Sequence, residues 1–401
     1  MDFGQDEIAQ AISGLARDVL RAECDPMASP GDGYDERAWS ALAKAGLLSL
    51  VLPTELDGDG LGIAEVAALL TEVGRRAAAV PAFPALALGA LTVAQHGTDE
   101  QRAALLPGVG DGTTLLTAAV SEPGAPLPAR PTAAATRGAP TSGTMAESAT
   151  LRRSGDPDDH NASRSTQKMS ADAPLAEADR ASWRLTGTKT SVPYATQASH
   201  VLVTATTPDG VGVFLLDPHG EGVTATSAPT SIGAAEHTLT LADAPADLLG
   251  TDTTGATAAA LRDNGVAGAL ALGSGALAGA LELTTEHLRT RHQFGKPLAT
   301  FQAVAQQIAD VYIAARTVEL STTSAVWRLA TARDAAEDID VATYWLTEEA
   351  LPAVRTCHHL HGGLGVDVTY PLHRYYATLK DLARFLGGAG HRLDVLAGKE
   401  R

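Results

Sequence analysis

The chain has 401 residues, 45% of them apolar, which is enough for two or three layers of core and roughly two to three domains. Its net charge of −17 excludes nucleic acid and anionic membrane surfaces as partners, because both are polyanions that such a surface repels. Two cysteines, Cys24 and Cys357, make neither a disulfide framework nor a metal-ligand spacing, and this points to a reducing cytosol.

The opening stretch MDFGQDEIAQAISGLARDVL places acids early and apolar residues at helical spacing, with no basic head before an apolar block, so no signal peptide is expected. Ile8, Ile12, Leu15 and Leu20 form one helical stripe, and the pattern returns over Ala38–Leu47 and Ile63–Val73. Loops at Pro53–Gly62 and Gly97–Asp99 separate these helices. Residues 1–118 are therefore expected to be an all-α N-terminal domain.

From Trp183 the period changes. VLVTA at Val201, VGVFLLD at Val211 and HTLTL at His237 are β-branched runs, and Thr207-Pro208-Asp209-Gly210 joins the first two as a hairpin. A small β-barrel-like domain is expected over residues 119–245. Within it, residues 131–180 contain no Val, Ile or aromatic residue, too little apolar surface to offset ordering entropy, so this segment reads as a disordered insertion. The sequon Asn161-Ala162-Ser163 inside it matters only for a secreted protein.

Residues 246–401 read as a four-helix bundle, completing an α+β multidomain architecture. The apolar, Gly- and Ala-rich run Val266–Leu281 is short for a membrane span and fits a buried helix packed closely on its neighbours. Phe301, Val304, Ile308, Val311, Tyr312 and Ala315 are expected on one buried face, with further helices over Val341–Leu360 and Leu372–Leu396.

The stretch RHQFGKPLATFQ, Arg291 to Gln302, has the chemistry of an anion cradle. Arg291 offers a planar fork of donors and Gln302 a neutral amide, while Gly295 and Pro297 break the helix between them. Downstream, Gly362, Gly363 and Gly365 allow close approach of backbone to a polyphosphate. Of His358, His359 and His361, only His358 and His361 have same-face spacing, and no carboxylate or thiolate completes a set, so no metal site is expected. Cys357 reads as a buried small hydrophobe.

In this order, with AGLLSLVLPTELDGDGLG from Ala45, HGTDEQRAALLP from His96, SEPG from Ser121, WRLTGTKT from Trp183 and HHLHGGLGVDVTYPLHRYY from His358, the chain resembles the acyl-CoA dehydrogenase family along nearly its whole length. The resemblance implies that fold, FAD as cofactor, an acyl-CoA substrate, α,β-desaturation of the thioester and an electron-transfer acceptor. It also implies that each FAD lies between two subunits, one holding the isoalloxazine while its neighbour reaches across to the ADP portion. The reaching positions match Arg291, Phe294, Gln302, Gly362, Gly363 and Gly365 here, with His359 standing where the family has Gln.

The chemical half departs from the family. Glu122-Pro123-Gly124 runs into Ala125-Pro126-Leu127-Pro128 instead of a Gly-Ser-Asp sequence, and Pro193 replaces the hydroxyl residue placed against the flavin N5. Desaturation requires a carboxylate to remove the α proton while a hydride leaves the β carbon. At that position stands Phe385-Leu386-Gly387-Gly388-Ala389, and Ala377-Thr378 replaces an Arg-Asp pair before Lys380. The family's alternative position for the base falls near Gly265, which makes Asp263 the one nearby candidate base, its bland role being a helix N-terminal acid. Glu282 and Glu286 read as exposed helix-face residues. Lys189 and Arg289 read as surface side chains, either able to meet a CoA phosphate in a local basic pocket.

Three readings follow: a homotetrameric dehydrogenase with a displaced base, a base-lacking subunit paired with a related subunit that supplies the Glu, or a flavoprotein of this fold with non-desaturating chemistry. Random decay should strike both halves of the flavin site alike. Here the neighbour-serving half survives, which favours the second reading and a likeness to the base-poor subunits of actinobacterial dehydrogenases for steroid side-chain CoA thioesters.

Overall fold

Helix α1 (Glu7–Glu23) buries Ala9, Ile12, Ser13, Ala16 and Leu20 against α3 (Ile63–Arg75). Ile8 and Leu15, expected on the same stripe, are about half exposed. The buried face is turned toward Ala9, Ser13 and Ala16 because small side chains let the two helices approach. In this computed structural model residues 7–25, 27, 33–138 and 183–398 are described. Helix α2 (Glu36–Lys44) is capped by the Asp35 carboxylate, which accepts the Ala38 N–H at 2.9 Å. A π-helical segment (Phe83–Ala90) runs into α4 (Leu91–His96), and α5 (Asp99–Gly110) begins with the reciprocal Thr98/Gln101 capping box. The Gln101 amide also ties this domain to the next, donating to Leu248 O and accepting from Gly250 N, both at 2.8 Å.

The middle of the chain is a closed barrel. Strand β4 (His200–Thr207) pairs antiparallel with β5 (Gly210–Leu216) across the predicted hairpin, and the ring continues through β7 (Glu236–Leu248), β3 (Trp183–Pro193) and β2 (Ala134–Arg137) back to β4. Strand β1 (Leu116–Ala119) lies parallel to β4, and β6 (Val223–Ser227) extends β7. Trp183, Leu185, Val203, Phe214 and Leu239 fill the interior, with Trp183 and Phe214 ring centroids 5.3 Å apart. Strand β2 corrects the expected insertion, because Ala134–Arg137 pairs with β3 and buries Ala135. Composition counts side-chain surface and misses a segment held mainly by backbone hydrogen bonds. The remainder of the expected insertion, residues 139–180 with the Asn161 sequon, lies outside the described residues.

Helix α6 (Ala256–Thr290) is the spine of the bundle. It is long and apolar enough to cross a membrane, yet 72% of its most apolar window is buried inside the protein, as expected of a core helix. Its glycines permit backbone contact with α3: a Cβ on Gly275 would lie 1.9 Å from Thr71 O, and one on Gly74 would lie 2.0 Å from Leu272 O. Gly275→Ala is therefore expected to force α3 and α6 apart and cost about 1–3 kcal/mol, read from urea denaturation.

Helices α7 (Gln302–Ala330), α8 (Ala336–His361), α9 (Leu372–Phe385) and α10 (Gly388–Leu396) complete the bundle. The expected single helix from Leu372 to Leu396 is two. Gly387, at φ +90°, ends α9, and the Arg392 Nε–H donates to Leu386 O at 2.6 Å across the break. On α7 the buried face is Val311, Ala314, Val318, Thr322, Ala325 and Val326; Tyr312, expected there, is exposed, and Phe301, Val304, Ile308 and Ala315 are half-buried. One side of α7 faces out of the bundle, so its longer apolar stripe is not a core stripe.

Candidate cofactor site

One end of the bundle gathers the cradle. Helix α6 stops at Thr290, a two-stranded hairpin follows as β8 (His292–Gln293) and β9 (Lys296–Pro297), and α7 starts at Gln302. Helix α8 returns to the same end, where His361 stacks on His287 of α6 with centroids 4.4 Å apart and planes 21° apart. Burial and, at His287, the Arg291 charge hold both imidazoles below the ordinary histidine range, so the pair is neutral at pH 7.

Arg291, Gln302, His359, Gly362 and Gly363 are all exposed, and Phe294, at the hairpin tip, is 91% exposed. Neither the Arg291 guanidinium nor the Gln302 amide has a hydrogen-bond partner among the described residues. Phe294 meets Phe301 edge to face at 6.1 Å, and Lys296 Nζ sits 4.4 Å from the Phe301 ring centre, which stiffens the hairpin. Gly362, at φ +61°, and Gly363 have open space where a side chain would stand. Gly365 differs: a Cβ there would lie 2.5 Å from His358 O, so its bareness serves the packing of the turn itself.

The other histidines also serve the turn. His361 Nδ1 lies 2.8 Å from Cys357 O and its Nε2 3.1 Å from the Tyr370 hydroxyl, an arrangement that suits the Nδ1–H tautomer accepting from Tyr370. His358 Nδ1 reaches Gly365 O at 2.5 Å. Rings at both ends of the Gly362–Val366 turn thus hold the shape that presents the two open glycines.

On the far side, between barrel and bundle, are two cavities. One, of about 150 Å³, is largely apolar and bounded by Val80, Phe83, Pro193, Tyr194, Leu382 and Phe385. The second, about 470 Å³ and more open, is bounded by Ser121, Glu122, Pro126 and Gly387. Ser191 and Arg384 belong to both and form the wall between them. Arg384 donates to Ser191 Oγ at 2.5 Å and forks onto both Glu236 oxygens at 2.8 and 2.7 Å; the hydrogen bonds to Glu236 keep its guanidinium charged. One turn earlier, Asp381 accepts from the Ser231 and Ile232 N–H groups at 2.9 Å each. Helix α9 is therefore latched directly onto the barrel. Sequence reading passed over Arg384, Asp381 and Glu236, although an arginine directly before Phe385 was a visible signal.

Lys189 is a correction. Far from lying on the surface, it is fully buried, with Nζ 2.8 Å from Glu122 Oε1 and 3.0 Å from Thr204 Oγ1. Glu122 also accepts from Thr132 N and Oγ1 at 2.6 Å and from Ala133 N at 3.0 Å. Burial alone would raise the Glu122 pKa, but Lys189, Thr132 and Ala133 together hold it below the usual carboxylate range. On β3, side chains alternate between interior and exterior, and Lys189 falls on an inward position.

Asp263 lies on α6 beside Arg262, 3.6 Å away, and lines neither cavity. Burial raises its pKa and Arg262 opposes the shift. A Cβ at Gly265 would stand 2.6 Å from Leu88 and 3.9 Å from Phe385, a residue of the apolar cavity's wall. Glu286 and Arg289 are exposed as expected, and Glu282 pairs with Arg75.

The bundle-end residues fit the ADP portion of FAD, with free donors beside open backbone. The barrel side does not fit an isoalloxazine shared between the two cavities, because Arg384 and Ser191 close the space and Pro126 and Pro193 offer no N–H donor. Residues 5–113 match the acyl-CoA dehydrogenase N-terminal domain and residues 263–393 the C-terminal domain. The acyl-CoA dehydrogenase FadE28 of Mycobacterium tuberculosis is 40% identical, the alignment covering 100% of this chain and 99% of the relative. The chain belongs to the acyl-CoA dehydrogenase family.

FadE27 of the same organism is 32% identical over 98% of this acyl-CoA dehydrogenase and 97% of its own length. Among solved structures, a variant of the Tcur3481-Tcur3483 steroid ACAD matches with TM-score 0.82 and 35% identity over 98% of both chains. The ChsE4-ChsE5 complex from Mycobacterium tuberculosis matches with TM-score 0.81 and 31% identity over 100% of this chain and 98% of that one. The family consists of FAD-dependent oxidoreductases, and its helix, barrel and bundle order is the one described above.

Proposed function

We propose that this acyl-CoA dehydrogenase chain is the base-lacking subunit of a heteromeric enzyme, supplying the ADP-grasping half of a flavin site whose isoalloxazine and catalytic Glu belong to a related subunit. The observation that carries this is an asymmetry. Arg291, Gln302, Gly362 and Gly363 are exposed at one end of the bundle, and the Arg291 and Gln302 side chains have no hydrogen-bond partner among the described residues, while Arg384, Ser191 and Glu236 bridge the space on the chain's own side. When bound, FAD supplies the hydride acceptor for oxidation of an acyl-CoA thioester. In this reading the chain's own residues bind and orient: Arg291 forks onto phosphate oxygens, Gln302 and His359 donate neutral hydrogen bonds, and Gly362 and Gly363 bring backbone close. Asp263, which lines neither cavity, is not assigned as base.

The ChsE4-ChsE5 complex and the Tcur3481-Tcur3483 enzyme each have two named components, and the latter is a steroid ACAD; both features support a heteromer acting on a steroid CoA thioester. Co-purification with the product of a neighbouring dehydrogenase gene, followed by flavin quantitation, tests this. One FAD per two chains is expected. One FAD per chain, with thioester oxidation by this chain alone, would overturn it.

A further inference from the structure

Away from both cavities, α1, α3, α6 and α9 enclose a polar pocket of about 500 Å³. Four arginines line it, Arg17, Arg21, Arg75 and Arg76, against two glutamates, Glu72 and Glu282. Both glutamates are spoken for. Arg17 forks onto the buried Glu72 at 3.0 and 2.8 Å, and Arg75 pairs with Glu282 while approaching Glu72 at 3.4 Å. Glu23, nearby on α1, is taken by Arg37 at 2.7 Å. Arg21 and Arg76 have no carboxylate within ion-pair distance among the described residues. Among the described residues the Arg76 guanidinium hydrogen-bonds only the Cys24 carbonyl, at 3.4 Å, and its Nε–H is buried with no acceptor.

Two guanidinium groups without a carboxylate partner among the described residues, in one concavity, run against a chain whose net charge is −17. A low-dielectric cleft focuses such a field, and a buried donor without an acceptor is costly to maintain. We propose that this pocket binds a phosphate-bearing small molecule through Arg21 and Arg76. A phosphate dianion matches the two unpaired charges, and its several oxygens match guanidinium forks better than one carboxylate does. The pocket is walled from the apolar cavity: α3 and α6 are in backbone contact, and the Tyr375 hydroxyl donates to Arg75 O at 3.0 Å. The site is therefore independent of the flavin reading.

Isothermal titration of the full chain at low ionic strength with pyrophosphate, and separately with adenosine 3′,5′-bisphosphate, tests it. Saturable binding is expected, weakened roughly tenfold or more by Arg21→Gln and screened by added salt. Arg21 is exposed on α1, so that variant should fold, and an unchanged melting temperature would verify this. Tight pyrophosphate binding identifies free phosphates as ligands, whereas binding of the nucleotide alone identifies a CoA-type phosphate. No saturable binding of either probe, or equal affinity in Arg21→Gln, overturns the proposal.

Discussion

Lys189→Met is expected to destabilise the chain by about 3–5 kcal/mol, because it leaves the Glu122 carboxylate buried without its counter-charge. The measurement is urea denaturation followed by far-UV circular dichroism. The double variant Glu122→Gln/Lys189→Met should recover a large part of the loss, since it removes both charges together. Strictly additive losses would show that the two groups do not act as a pair. The pair closes β1, β3 and β4 around the start of the second cavity, at the stretch where the sequence departs from the family pattern. Glu122 also sets an acid limit. Its pKa is depressed in the folded chain, so its contribution is present above the unfolded carboxylate value near ~4.3 and is lost as pH falls through the lower folded value. Denaturation midpoints should therefore decline from pH 6 to pH 3.

Arg291→Ala in the co-purified complex is expected to weaken FAD binding by about 10- to 150-fold, the equivalent of about 1.5–3 kcal/mol for charge-assisted hydrogen bonds. Apo-complex titrated with FAD, with flavin fluorescence as readout, measures it. The isolated chain should unfold within about 0.5 kcal/mol of the parent, since the Arg291 side chain is exposed and has no partner among the described residues. An FAD affinity within about twofold of the parent would remove Arg291 from the phosphates. A loss of stability in the isolated chain would assign Arg291 to the fold instead.

The elements differ in how far they could be read from sequence. The hairpin at Thr207–Gly210 and the buried run Val266–Leu281 were legible because turn chemistry and small-residue composition are local signals. The stripes on α1 and α7 were legible as helix but not as face, since which side meets a neighbour depends on where that neighbour lies. Strand β2 was missed because its stabilisation is backbone pairing with β3, about fifty residues away along the chain. Lys189 was misplaced because a charged residue on a barrel strand defaults to the surface unless its partner is known, and Glu122 lies far from it in sequence.

By itself the sequence determined the family and the helix, barrel and bundle order, and it singled out the residues proposed as the cradle, because these rest on spacing and residue type within short stretches. The tertiary structure alone decided where those residues stand. It exposed Arg291, Gln302, Gly362 and Gly363 together at one end of the bundle, left Asp263 outside both cavities, and set Arg384 against Ser191 and Glu236. Each of those outcomes depends on contacts between segments far apart in the chain, where burial and charge pairing, rather than local pattern, determine which group is free to bind a ligand.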